Sequence, residues 1–159
     1  MITYDFIIRF FGDYLTWVLG IGFLLFIIRQ GYSQILKNLR IAFEAVASAI
    51  LSRFVFTEII RYFYNKPRPF EVISGLQKLI EQTPGGSFPS GHVAFFFAIA
   101  GTFFIYNRKW GIAFFVGALL MGVARVYAGI HWPIDIVGGA ALGLASSLII
   151  NFLARRYQK

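Results

Sequence analysis

The sequence of 159 residues contains no cysteine, and only 14% of its residues are charged. Without cysteine the chain can form neither disulfides nor thiolate metal sites. Hydrophobic residues make up 58% of the chain and aromatic residues 19%. This composition is too apolar for an ordinary soluble domain of this length, so we predict one compact integral membrane domain covering residues 1–159.

Acidic residues are also scarce, with 7 Asp and Glu against 15 Lys and Arg, which gives a net charge of +8. The basic residues lie between apolar blocks rather than along a basic helix, so we expect no nucleic acid partner. Membrane topology and contact with anionic membrane lipids explain the positive charge better. The start of the chain lacks a basic region followed by a small-residue cleavage site, so secretory cleavage is not expected.

Long apolar runs predict an all-α fold, a polytopic helical bundle with about five transmembrane helices. Arg9 and Asp13 interrupt the first run. Two interpretations of residues 2–11 therefore remain open: they span the bilayer, or they lie along its surface before the chain turns inward. The predicted spans are about 12–28, 39–64, 90–106, 110–129 and 133–154.

Basic residues form three clusters that alternate with the predicted spans. By the positive-inside rule they mark the cytoplasmic side, so the amino terminus lies outside and loops 65–89 and 129–133 face the extracytoplasmic side. Those two loops hold almost every residue able to do chemistry. We therefore expect an integral membrane protein whose candidate site faces the extracytoplasmic side. The clusters are Arg29, Lys37 and Arg40; Arg108 and Lys109; and Arg155, Arg156 and Lys159.

Two further patterns predict local structure. Apolar residues recur at helical spacing between Val72 and Ile80, which predicts a short helix lying on the membrane surface. Gly139 and Gly143 form a small-residue pair that would let the last span approach a neighbouring helix closely.

The first group of candidate site residues lies where the second predicted span ends. The prolines of the stretch 66–69, Lys-Pro-Arg-Pro, must end the helix and hold Arg68 on a stiff turn. Arg61, Lys66 and Arg68 then present cations that suit a phosphate. Glu58 is expected to pair with Arg61. The alternative is basic residues that only snorkel to the interface.

The second group is a glycine-rich stretch, 85–92, that leads into an apolar run. A glycine loop before a helix amino terminus leaves free amides and a positive dipole end, which bind anions. Ser90 is predicted to cap the helix, and Gly91 lets a ligand approach the backbone. The alternative is that Ser90 is only a cap and His92 only an interfacial residue.

The third group is Arg125, His131 and Asp135, around the turn between the last two spans. Pro133 suits the first turn of a helix, which puts Asp135 about one turn inside it. A carboxylate there can orient the imidazole of His131 by a hydrogen bond. The alternative is a favourable acid in a helix's first turn beside an ordinary interfacial histidine.

Together these residues resemble the type 2 phosphatidic acid phosphatase superfamily, which also includes vanadium haloperoxidases. Its motifs are a lysine, six residues, then Arg-Pro; Pro-Ser-Gly-His; and Ser-Arg, five residues, His, three residues, Asp. Two positions depart from this pattern, because an arginine replaces the lysine and an alanine replaces the serine of the third motif. The matching residues are Arg61 with Arg68-Pro69; Pro89-Ser90-Gly91-His92; and Ala124-Arg125 with His131 and Asp135.

The resemblance implies a reaction in which His131 attacks phosphorus and forms a phosphohistidine, with Asp135 orienting it. His92 would protonate the leaving oxygen and then activate water. The equatorial oxygens would be held by Arg61, Arg68, Arg125 and the amides near Ser90 and Gly91. Two histidines and one usable carboxylate fall short of a typical metal ligand set, so we expect neither a metal nor a cofactor.

The expected substrate is a lipid phosphate or diphosphate, with undecaprenyl diphosphate, converted to undecaprenyl phosphate, as the leading hypothesis by analogy with bacterial carrier-lipid diphosphatases. Phosphatidylglycerophosphate, phosphatidate and lipid A 1-phosphate remain alternatives with the same chemistry. A lipid phosphotransferase and a non-catalytic membrane transporter are alternatives of other classes. The sequence gives no indication of the oligomeric state.

Overall fold

The computed structural model describes residues 2–28 and 32–156, which contain five long helices and no strand. Arg29 and Lys159, from the predicted cytoplasmic clusters, lie outside these ranges. Two of the long helices change locally to π-helical geometry without a break. Helix α1 (2–28) comprises Ile2–Arg9, the π-helical Phe10–Tyr14 and Leu15–Ile28; α2 (32–63) comprises Tyr32–Ile50, the π-helical Leu51–Phe56 and Thr57–Phe63; then follow the single turn α3 (Pro69–Val72), α4 (Gly91–Tyr106), α5 (Arg108–Tyr127) and α6 (Pro133–Arg156).

The long helices occupy the five predicted spans, and the prediction of an all-α membrane bundle is confirmed. In the described part of the chain, three segments are long and apolar enough to cross a membrane: Thr3–Ile28, Arg108–Tyr127 and Pro133–Arg156. Helix α4 is also apolar but is shorter, with 16 residues. Large hydrophobic side chains on the long helices point outward, including Trp17 of α1 (74% exposed) and Phe43 of α2 (75%), as expected of a surface that faces lipid.

The first helix begins ten residues earlier than the predicted span and does not turn at residue 12. The interpretation of residues 2–11 as a separate surface segment is therefore wrong. The carboxylate of Asp13 lies 3.6 Å from Nη2 of Arg125 on α5, so this charge has a partner inside the bundle. Gly12 is buried against Ile80, and the π-helical geometry of Phe10–Tyr14 accommodates this contact within a continuous helix.

The loop between α2 and α4 does not contain the predicted surface helix. Helical structure there ends at Val72, and the backbone amides of Phe70 and Leu79 donate to the carbonyls of Gly129 and Ala128. Ile80 is 4% exposed and packs with Ile8, Ala128 and Ile130. The apolar spacing therefore reflects an irregular segment folded onto α1 and the 128–130 turn.

Helix α4 is the centre of the bundle, and the glycines of α6 bring the two helices into backbone contact. A Cβ on Gly139 would lie 2.6 Å from the carbonyl oxygen of Ser90, and one on Gly143 would lie 2.5 Å from that of Ala94. This confirms the prediction for the glycine pair. The contact fixes how the start of α6, which carries Asp135, lies against the start of α4.

We expect Gly143→Ala to destabilise the bundle, because the new methyl group meets the backbone of α4, which cannot move aside as a side chain can. Overpacking of this kind costs about 1–3 kcal/mol. Thermal unfolding in detergent micelles measures the effect as a lower midpoint. Gly20→Ala is the control, since a Cβ there has nothing within 4 Å. Equal midpoints for the two variants would contradict the backbone contact.

Candidate active site

The structure brings the three groups predicted from the sequence to one end of the bundle. The amide of Ser90 donates to the carbonyl of Asp135 over 2.9 Å, and Nη2 of Arg61 donates to the carbonyl of Pro89 over 2.9 Å. Nη1 of Arg68 donates to the carbonyl of Ile130 over 2.9 Å. Segments far apart in the sequence thus meet around a single region, and the segments that carry the two histidines lie at the same end.

Asp135 is fully buried, and its carboxylate accepts hydrogen bonds from four groups. Oδ1 accepts from Nζ of Lys66 over 2.9 Å, and Oδ2 accepts from the amide of Trp132 over 2.8 Å. Oδ2 also accepts a short hydrogen bond from the hydroxyl of Ser87 and lies 3.4 Å from Nδ1 of His131. So many donors keep this carboxylate ionised and fixed in place.

His131 lies between Asp135 and Arg68 and is 2% exposed. Its Nδ1 faces the carboxylate, while its Nε2 lies 3.4 Å from Nη1 of Arg68. Burial lowers the pKa of His131 to about 4; the hydrogen bond with Asp135 raises the pKa but does not offset burial. The ring is therefore neutral at pH 7, with its proton on Nδ1 toward Asp135 and a lone pair on Nε2.

The glycine loop binds Arg68 through carbonyl groups. Nε of Arg68 donates to the carbonyl of Gly85 over 3.0 Å, and Nη2 donates to that of Gly86 over 3.3 Å. The amides of the two glycines are occupied by Glu71 and Asn65, so these two are not free to bind an anion. Anion binding by the amide of Gly91 stays a prediction. Both glycines have positive φ, which lets consecutive carbonyls turn toward one guanidinium group.

Glu71 holds the turn that carries Arg68. Its Oε2 accepts from the amides of Arg68 (2.7 Å) and Gly85 (3.0 Å), and these hydrogen bonds lower the pKa of Glu71. Sequence reasoning missed both Glu71 and Ser87 as parts of the site. A signal was present for Glu71, because an acid three residues after Arg68, in the first turn after Pro69, is typical of a capping box.

Arg61 and Arg53 share the carboxylate of Glu58. Oε1 of Glu58 accepts a short hydrogen bond from Nη1 of Arg53 and lies 3.6 Å from Nη1 of Arg61, which confirms the predicted pairing of Glu58 with Arg61. Arg53 belongs to none of the three motifs. Arg53 lies on the π-helical segment of α2. Nε of Arg61 has no hydrogen-bond partner among the described residues.

Arg125 is 2% exposed, and its one ionic contact in the described chain is with Asp13. Its Nε and Nη1 have no hydrogen-bond partner within residues 2–28 and 32–156. Buried donors without a partner are rare, because each costs free energy comparable to a lost hydrogen bond. Ala124, where the family has serine, is buried beside Gly12 of α1. An apolar contact with the first helix thus replaces the usual hydroxyl.

The start of α4 differs in detail from the prediction. Ser90 occupies the N-cap position, but its hydroxyl caps nothing and is buried without a partner in the described chain, and its amide is occupied by Asp135. Gly91 is covered by Arg53: a Cβ on Gly91 would lie 2.5 Å from Nε of Arg53. His92 is exposed, makes no hydrogen bond to described residues and lines a cavity of about 200 Å³ with Arg53.

The described residues contain no cluster of three or more His, Asp or Glu side chains able to hold a metal ion. The carboxylate of Asp135 is occupied by four donors, and Glu71 faces two backbone amides. The metal-independent reaction stays a prediction.

Comparison with known proteins identifies the family, since residues 42–158 match the PAP2 superfamily. This chain belongs to the PAP2 superfamily. Membership confirms the resemblance stated above and, with it, the expectation of a membrane phosphatase that hydrolyses phosphate esters. It also agrees with the positions of the three motifs, all of which lie inside the matched region.

Individual relatives carry several names. The chain is 28% identical to the "bacitracin transport permease protein BcrC" of Bacillus licheniformis, over 93% of this chain and 70% of that protein. It is 35% identical to the undecaprenyl-diphosphatase BcrC of Bacillus subtilis, over 65% of this chain and 51% of that protein. Further matches are named lipid A 1-phosphatase and phosphatidylglycerophosphatase B. The chain thus spans about half the length of some of these relatives.

The fold matches a solved structure over nearly the whole chain. The crystal structure of LpxE from Aquifex aeolicus superposes with a TM-score of 0.68 and 26% identity, covering 94% of this chain and 83% of that one. This agreement supports the arrangement of α1 to α6 as an integral membrane PAP2 bundle.

We expect Lys66→Met to act through Asp135. Nζ of Lys66 is paired with Oδ1 of Asp135, and the lysine side chain is 20% exposed. Its loss should therefore lower kcat roughly threefold to tenfold, while inhibition by inorganic phosphate stays near that of the wild type. Steady-state assays with phosphate as inhibitor separate the two effects. Unchanged kcat with weakened phosphate inhibition would instead mean that Lys66 binds phosphate directly.

Proposed function

We propose that this PAP2 phosphatase hydrolyses a lipid diphosphate, with undecaprenyl diphosphate as its leading substrate and undecaprenyl phosphate as the product. The observation that carries the proposal is the line of Asp135, His131 and Arg68, which holds a neutral imidazole inside a group of arginines at one end of an apolar bundle. This arrangement suits nucleophilic attack on a phosphoryl group attached to a lipid.

In the first step, Nε2 of His131 forms a bond to the terminal phosphorus of the substrate. Asp135 accepts a hydrogen bond from the N–H at Nδ1, fixes the ring orientation and stabilises the positive charge that the imidazole gains. Arg68 lies 3.4 Å from Nε2, so a phosphoryl oxygen bound to its guanidinium group would sit beside the attacking nitrogen.

The bond between the phosphorus and the bridging oxygen breaks in the same step, and its electron pair goes to that oxygen. His92 supplies the proton to the leaving oxygen, which yields the lipid product and a phosphohistidine. Water then attacks the phosphohistidine, with His92 taking its proton, and releases inorganic phosphate. His92 suits both roles because no hydrogen bond to the described chain restrains its ring.

The transferred phosphoryl group needs positive charge that is already in place. Arg61, Arg68 and Arg125 supply it, and the unpaired nitrogens of Arg125 are the donors most in need of an acceptor. The buried hydroxyl of Ser90 offers one further hydrogen bond. Preorganised donors of this kind stabilise the charge that develops in the transition state.

The site is proposed to face the extracytoplasmic side of the bacterial inner membrane. Helices α4, α5 and α6 run between the end that carries the site and the opposite end, where Arg108, Lys109, Arg155 and Arg156 lie. Basic residues of this kind mark the cytoplasmic side. A lipid diphosphate whose head group lies on the outer face would thus be accessible to the site.

Replacement of the nucleophile tests the chemistry. We expect His131→Ala to abolish both turnover and a covalent phosphoenzyme, because it removes the imidazole that lies between Asp135 and Arg68. Asp135→Asn should lower kcat by about a hundredfold or more, because the amide has one acceptor oxygen in place of two and no negative charge to stabilise the imidazolium form of His131. Phosphate release and trapping of a labelled, acid-labile phosphoenzyme are the measurements. Full activity in His131→Ala would disprove the mechanism.

A substrate panel tests the proposed specificity. The purified chain in detergent is assayed for phosphate release from undecaprenyl diphosphate, phosphatidylglycerophosphate, phosphatidate and lipid A 1-phosphate. We expect the highest kcat/KM for undecaprenyl diphosphate. Preference for a glycerolipid by more than about tenfold would reject this substrate while leaving the phosphatase chemistry intact.

A further inference from the structure

An arginine outside the three motifs lies beside the general acid. Arg53 is on the π-helical segment of α2, and its Nε, Cδ and Cζ fill the space where Gly91 lacks a side chain. His92 is the next residue, and Arg53 and His92 line the same cavity. The guanidinium group therefore lies on the side of the site where the leaving oxygen receives its proton.

The position of Arg53 is costly for a residue with only a structural role. It lies about 15 Å before the end of α2, at a rise of about 1.5 Å per residue, within the apolar bundle. Ionisable residues at such depth face the protein interior and mark sites for substrates or ions. The side chain is 28% exposed and lies 5.2 Å above the ring of Phe54, so a ligand in the cavity can reach it.

Arg53 also has donors to spare. Nη1 bonds to Glu58, and within residues 2–28 and 32–156 Nε and Nη2 make no hydrogen bond. Glu58 is 51% exposed and also lies near Arg61. Water and Arg61 can therefore stabilise its negative charge without Arg53. The geometry leaves Arg53 able to bind an oxyanion while it keeps its partner.

The cavity continues toward the middle of the bundle. Its polar end, with Arg53 and His92, has a volume of about 200 Å³. A second cavity of about 300 Å³ shares Thr16, Phe95 and Phe96 with it and extends past Gly20 among apolar residues of α1, α2 and α4. A lipid chain would enter from this apolar side, so a group still attached to the lipid lies next to Arg53.

We propose that Arg53 binds the phosphate that stays on the lipid when a diphosphate is cleaved. This inference rests on the proposed function. As the bond from the terminal phosphorus to the bridging oxygen breaks, its electron pair passes to the lipid phosphate, and the proton from His92 neutralises part of that charge. Arg53 neutralises the remainder. A lipid monophosphate releases an alcohol instead, so Arg53 has no phosphate to bind and favours diphosphates as a substrate class.

The test compares Arg53→Gln and Arg53→Lys on undecaprenyl diphosphate and on phosphatidate. Arg53→Gln should lower kcat/KM about 10- to 100-fold for the diphosphate and less than about threefold for phosphatidate, because one charge-assisted contact is lost with the first substrate alone. Arg53→Lys should restore part of the loss. Inhibition by undecaprenyl phosphate, the lipid product, should weaken about 10-fold or more in Arg53→Gln.

Arg108→Gln is the matched control, because Arg108 also lies over a phenylalanine ring, 5.3 Å above Phe104, but at the opposite end of the bundle. It should match the wild type with both lipids. Thermal midpoints show that each variant is folded. Equal losses with both substrates, or unchanged product inhibition, would overturn the role of Arg53 alone. A wild-type chain that cleaves phosphatidate but no lipid diphosphate would overturn this inference together with the proposed substrate.

Discussion

A buried carboxylate organises the site, because the donors that surround it come from all three motif segments. Asp135 has no exposed surface, and an unpaired charge in that position would cost several kcal/mol. Lys66, Ser87 and Trp132 donate to its oxygens, and Ser90 donates to its backbone carbonyl. Each of these segments is irregular backbone that could otherwise take many conformations. The hydrogen bonds to the carboxylate of Asp135 thus order the loops that also position His131.

Helix packing sets the frame within which those loops close. The glycines of α6 allow its backbone to touch that of α4, so the start of one helix lies beside the start of the other. The side-chain contacts of Lys66 and Ser87 with Asp135 could not by themselves fix the distance between the two helix starts, because side chains can rotate to follow a small shift. Backbone contact removes this freedom. The relative position of Ser90 and Asp135 is therefore a property of the bundle and not of the loops.

Much of this was accessible from the sequence, because long apolar runs specify membrane helices and the motif spacings specify which loops meet. The predictions that were wrong concerned residues whose contacts are distant in the sequence. Asp13 interrupts an apolar run, and its partner Arg125 is far away in the sequence. The apolar spacing up to Ile80 is typical of a helix, although it arises from packing on α1 and the 128–130 turn. Likewise, glycine content alone could not distinguish a loop that offers amides from one that turns its carbonyls toward Arg68.

The arginines of the site differ in how firmly the surrounding residues hold them, and this difference fits the separate roles proposed for them in phosphoryl transfer. Arg68 is held by three backbone carbonyls beside His131, the proposed nucleophile, so its charge is in position before substrate arrives. Arg125 is buried, and two of its nitrogens have no hydrogen-bond partner in the described chain, so an incoming oxyanion would supply the hydrogen bonds that they lack. Arg53 keeps one partner and stays accessible, which suits its proposed role of binding and then releasing the lipid product. In the proposed mechanism, the fixed charge of Arg68 beside Nε2 of His131 and the less restrained charge of Arg53 beside the lipid phosphate would act at successive stages of one reaction.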